Sequence, residues 1–186
     1  MNQTTQKLWK ALAGPLYEEL LRSKETAFAH IFDANDDIRI AAIQIFDSHW
    51  NGSMDVEFQT ACREIATSDS SDSVRVSAIG SIGKAMQCSR DANVSRLLAD
   101  ITKGNSASDR VRHAAYWALR EVQSGTCEKD VMLRLASCMK FAMRAMSMTE
   151  DQIKAAVPYP GDYAKNVWDS AEQIDWTFVN QYASQE

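Results

Sequence analysis

The chain has 186 residues, of which 45% are hydrophobic, 24% charged and 9% aromatic, a globular composition that excludes disordered, collagen-like and mucin-like chains. Its net charge of −5 argues against a general nucleic-acid binder. Seven glycines and three prolines are few for a β-sandwich or barrel, so an all-α fold is expected.

The opening stretch, MNQTTQKLWKALAGPLYEEL, has no continuous apolar run, so no secretory leader is expected, and no later stretch is apolar enough to span a bilayer. Residues 5–32 carry Leu8, Trp9, Leu12, Leu16, Leu20, Leu21, Phe28 and Ile31 at helical spacing. They predict two helices broken at Gly14-Pro15, forming an N-terminal cap over residues 1–32.

Three segments then align without gaps: Asp36–Ile43, Asp72–Ile79 and Asp109–Tyr116. Arg39, Arg75 and Arg112 recur at intervals of 36 and 37 residues within a shared phrase, D-x-[IV]-R-x-[AS]-A-[IY]-x-x-[IFL]. Asp36, Asp72 and Asp109 suit helix starts, where a carboxylate meets free backbone N–H groups and the helix dipole. Ile38, Ala42 and Phe46 follow one helical face, as do their counterparts, and Ala42, Ala78 and Ala115 allow a neighbouring helix to approach closely. The arginines lie off that face, where each is expected to bond the aspartate of an adjacent repeat in a ladder.

Second helices are expected between these segments. Ser53 is the expected N-cap of one through Ala66, with Val56, Cys62 and Ile65 inward. Asp91 precedes another through about Lys103, stopped by Gly104. Gly125-Thr126 punctuates the third pair, and a long helix runs to about Met148. Units are expected at about 33–68, 69–105 and 106–148, each a helix pair that must stack on the next to cover its apolar face. Residues 149–186 depart from the pattern. Asp151-Gln152-Ile153-Lys154 echoes it, Pro158 ends it, and a helix around Tyr163–Tyr182 follows as a C-terminal cap or appendage.

The D-x-V-R-x-A-A-x-x-A-L phrase resembles the HEAT repeat, and at this period the short HEAT-like class associated with phycobilisome bilin lyases. The resemblance covers about residues 33–148 and implies an α-α superhelix of three helix pairs between helical caps. It implies little about function, because this scaffold serves many tasks.

Enzyme signatures are absent: there is no G-x-G-x-x-G, G-x-x-x-x-G-K-[ST], G-x-S-x-G or H-E-x-x-H. His30, His49 and His113 share no ligand spacing, so neither a metal nor a cofactor is expected, and no catalytic residue is assigned. His113 is read as exposed, and Cys62, Cys88, Cys127 and Cys138 as reduced, core-facing thiols of a cytoplasmic protein.

Charge is unevenly spread: residues 1–93 carry −4, residues 94–149 carry +4, and residues 150–186 carry −5. On the helix beginning at Glu128, Val131, Met132, Leu135, Met139, Ala142, Met143 and Met146 share one side, with Lys129, Arg134, Ser137, Lys140, Phe141 and Arg144 opposite. In HEAT-like stacks the second helices line the concave face. By that resemblance Arg96, Lys103, Lys129, Arg134, Lys140, Phe141 and Arg144 form one partner surface. Its expected occupant is a protein or an acidic peptide, with the chain's own acidic, aromatic tail (Trp168, Asp169, Asp175, Trp176, Phe178) as a competitor. The expected function is a non-catalytic interaction scaffold. The alternatives are a bilin lyase-like, chromophore-handling protein and a DNA-binding repeat of the alkylpurine-glycosylase type. No membrane partner is expected, and no oligomeric state is assigned.

Overall fold

The computed structural model describes residues 3–124, 128–156 and 161–184. Every regular element among them is helical. The N-terminal pattern gives α1 (Gln3–Ala13), a 3-10 turn at Gly14–Leu16, α2 (Tyr17–Arg22) and α3 (Lys24–Ala29). Gly14 takes φ +54°, and Ser23 caps α3 by accepting from the Thr26 N–H at 3.0 Å. Trp9 and Leu20 are buried as expected, whereas Leu8 is 52% exposed.

The three aspartates begin three helices: α4 (Asp36–His49), α6 (Asp72–Ala85) and α8 (Asp109–Ser124). The small residues Ala42, Ala78 and Ala115 are fully buried, and Phe46, Ile82 and Leu119 lie with them in the core. Between these helices run α5 (Val56–Ser68) and α7 (Ala92–Lys103). Asp91 caps α7 by accepting from the Val94 N–H at 2.8 Å, and Gly104 ends it, both as the sequence predicts. The start of α5 differs. Asn51 at φ +56° turns Gly52–Met54 into a 3-10 loop, so Asp55 rather than Ser53 caps the helix. A Cβ on Gly52 would stand 2.6 Å from the Phe58 ring, so only glycine fits this turn. Val56, expected inward, is in the first turn beyond that cap and 82% exposed.

The most extensive helix–helix packing is α6 on α8, and of the direct neighbours in sequence the backbones of α5–α6 and α7–α8 pack closely whereas those of α4–α5 and α6–α7 do not. α4 also packs on α6. At Gly83 a Cβ would lie 3.0 Å from that of Ala118, so glycine allows the α6–α8 approach. α1 lies on α4, and the Phe46 and Phe58 rings stack at 4.4 Å between α4 and α5.

The last third is assembled differently. α9 (Glu128–Ala145) stops short of Met148 at a turn where Ser147 has φ +61°. α10 (Glu150–Ala155) follows, opened by a reciprocal capping box between Thr149 and Gln152. The single helix expected over 163–182 is two, α11 (Asp162–Ser170) and α12 (Trp176–Asn180), because Asp175 caps a new start by accepting from the Phe178 N–H at 3.0 Å. Ala136, Ile153, Val167, Trp168 and Ala171 form a small second core beneath α9. Val179 of α12 returns to the main core, and Ser184 binds Asp100 of α7 through both its N–H and its hydroxyl. Residues 125–127 and 157–160, which hold Gly125-Thr126, Cys127 and Pro158, lie outside the described residues. Among the described residues no helix is long and apolar enough to cross a membrane.

Candidate functional site

The three arginines occupy equivalent places but make unequal bonds. Each pairs with the aspartate one turn earlier, at 2.8 Å for Arg39–Asp36, 3.9 Å for Arg75–Asp72 and 2.7 Å for Arg112–Asp109. Only Arg39 reaches an acid of the next segment: its Nη2 lies 3.0 Å from Asp69 Oδ1. Arg75 turns back instead, donating from Nε to the Ala66 carbonyl at 3.0 Å. The position equivalent to Asp69 before α8 is Ser106, which offers no charge. The expected ladder is therefore reduced, among the described residues, to one rung.

The expected basic surface is not assembled. α9 is rotated so that Ser137 and Lys140 are buried while Leu135 and Met146 are 49% and 68% exposed. The cause is the returning C-terminal segment. Lys140 Nζ sits 5.2 Å above the Trp168 ring and 3.8 Å from Glu172. Arg144 bonds Glu150 at 2.7 Å and also Glu172, and these two carboxylates drive its pKa further up. Glu150 is held below its ordinary value chiefly by Arg144. Arg134 pairs with Glu121, whose carboxyl burial pushes up and Arg134 pulls back. Arg134, Lys140 and Arg144 are thus spent within the chain, the last two on the acidic tail. Arg96 and Lys103 stand exposed on α7, which packs on α8 and α12 rather than on α9. The side chain of Lys129 lies outside the described residues.

One concavity, of about 550 Å³, lies where Phe141 and Arg144 meet Glu150 and Glu172, and two others adjoin along the helices that carry the arginines. A cleft of about 520 Å³ runs from Trp9 and Gln44 across Ser77, Gly80 and Lys84 to Glu121. A cavity of about 360 Å³ adjoins it between α6, α8 and α9, and the two share Val76, Gly80 and Arg134. Their lining follows the repeat. Gln44, Gly80 and Trp117 stand five residues after the three arginines, and Ser48, Lys84 and Glu121 nine after. These positions sit on the face opposite the buried alanines, and the shared phrase leaves them unspecified, so its apolar pattern did not flag them. Gly80 forms the floor, since a Cβ there would meet nothing within 4 Å. Along the walls Trp9 Nε1 donates to Gln44 at 2.6 Å and Lys84 pairs with Asp47 at 2.7 Å.

Nucleophiles and bases near the cavity are mostly engaged. His113 is buried, not exposed, and both ring nitrogens lie 2.7 Å from carbonyl oxygens, Nδ1 from Asp109 and Nε2 from Glu172. That leaves no nitrogen free to take a proton from a substrate. Cys62 is buried, and desolvation with Asp47 nearby drives its thiol pKa up, an inert setting. Cys88 and Cys138 are exposed rather than core-facing: Cys88 lies in the turn after α6 at φ +58°, and Cys138 at the cavity rim. Among the described residues no three His, Cys, Asp or Glu side chains converge as a metal site. No family model, no curated protein and no solved structure matches this chain.

Proposed function

We propose that the chain is a non-catalytic interaction scaffold, a HEAT-like stack whose arginine-bearing helices line a groove for an extended segment of a partner protein. The observation that carries this reading is the pair of adjoining concavities across α1, α4, α6, α8 and α9, joined at Val76, Gly80 and Arg134. Repeat helices laid in register present equivalent positions side by side, which makes an elongated binding surface with little ordering of the scaffold itself. The cleft offers side-chain amide, hydroxyl and ammonium groups from Gln44, Ser77 and Lys84, suited to a partner backbone or acidic side chain.

The test is site-specific photo-crosslinking from position 77, followed by competition with Gly80→Phe. The phenyl ring enters open space, so folding is retained while the groove is blocked. The reading requires a crosslinked partner that Gly80→Phe loses and Lys103→Glu, on exposed α7, keeps. A partner retained by Gly80→Phe removes the groove as its site.

A further inference from the structure

The cavity between α6, α8 and α9 has a chemistry distinct from that of the neighbouring cleft. Its walls are Val76, Ala114, Trp117, Phe141 and Ala142, so two aromatic rings face small aliphatic side chains. The small residues Ala114, Ala118, Ala142 and Ala145 on the two helices leave about 360 Å³ unfilled, within the range of small-molecule pockets.

The polar groups at this cavity are not equivalent. Arg134 is neutralised by Glu121, and both nitrogens of His113 are taken by backbone carbonyls. Arg110 alone among these lacks a charge partner. Among the described residues its guanidinium donates only to the neutral Ser73 hydroxyl, at 3.0 Å. An apolar chamber with one uncompensated guanidinium is complementary to an apolar body bearing one anionic group, and the planar fork of arginine matches a carboxylate.

We infer that this cavity binds a small aromatic acid, with the ring system between Trp117 and Phe141 and its carboxylate on Arg110. The inference goes beyond the scaffold reading and stands without it, because it needs no protein partner.

The experiment is isothermal titration calorimetry of the full chain with 1-naphthaleneacetate and with its uncharged analogue 1-naphthaleneacetamide. The acid binds roughly tenfold more tightly than the amide, the size of one charge-assisted contact. Arg110→Gln removes that preference and leaves amide binding unchanged. Ala142→Trp, at an exposed helical position, fills the chamber and abolishes binding of both; Ala145→Trp replaces it if that variant does not fold. Equal affinity for acid and amide, no heat from either ligand at millimolar concentration, or an acid preference that survives Arg110→Gln overturns the inference.

Discussion

Arg39 and Asp69 are thirty residues apart in sequence and 3.0 Å apart in space, forming the rung that ties the start of α4 to the turn before α6. Arg39 is only 8% exposed and also donates to the carbonyls of Asp33, at 2.7 Å, and Ala34, at 3.3 Å. Asp69 in turn accepts from the Ser71 N–H at 2.7 Å. Arg39→Met leaves two carbonyls without this donor and the half-buried Asp69 carboxylate without its cation, and costs about 2–4 kcal/mol in urea unfolding. Arg112→Met, whose side chain is 28% exposed and among the described residues bonds only Asp109, changes stability by less than about 0.5 kcal/mol. Equal losses at the two positions would show that the rung contributes nothing of its own.

The two glycines of α6 separate in the opposite direction. Gly80→Ala adds a methyl to open groove and raises helix propensity, so the melting temperature rises, by about 0.5–1 kcal/mol of stability. Gly83→Ala places a methyl 2.8 Å from Glu121 Oε2 and 3.1 Å from Ala118 Cα, and destabilises by about 1–3 kcal/mol. Thermal melts of the two variants give shifts of opposite sign.

Lys24 and Asp55 clamp α3 to the start of α5 at 2.6 Å. That lysine, and then the Phe58 N–H, hold the Asp55 carboxyl below its ordinary 3.8. Because the folded value is the lower one, the carboxylate stabilises the fold above pH 3.8, and the contribution fades as pH falls through and below that value. Asp55→Ala costs about 1–2 kcal/mol at pH 7, through the lost cap and pair. The gap between wild type and variant narrows progressively below pH 4 in urea titrations.

Glu121 has the reverse sign. Burial lifts its pKa above the ordinary 4.5, so its ionisation opposes folding as pH rises, and Arg134 offsets part of that. Arg134→Met strands the carboxylate and costs about 1–2 kcal/mol at pH 7, below the range of fully buried pairs because Arg134 is 43% exposed. Acidification protonates Glu121 and removes the penalty, so the variant's deficit shrinks on going from pH 7 to pH 4.5. Glu121→Gln in the same background restores stability at pH 7.

Local signals were legible where one residue decides an element. Asp91 and Gly104 bound α7, and the three aspartates begin α4, α6 and α8, because caps act on backbone groups within a turn. The start of α5 was not legible because Ser53 and Asp55 are both capable caps, and the choice is made by Asn51 in the left-handed region and by Gly52 packed against the Phe58 ring. The orientation of α9 was not legible. Its methionine stripe and the stems of its basic residues are both apolar enough to bury, and Trp168 and Glu172, which select the inward face, lie some thirty residues downstream. The groove was hidden for a related reason: the repeat phrase is defined by the buried face, whereas the positions lining the concavities are those it leaves unspecified.

The small core under α9 touches the main one through Leu133, while α12 beyond it is anchored again by Val179 and by the Ser184–Asp100 bonds. The segment from α9 to α11 is thus held to the main core by Leu133 on one side and by α12 on the other. Phe141 and Ala142, which line the cavity, therefore sit on a segment held from both sides, and the shape of that cavity depends on contacts made some thirty residues downstream.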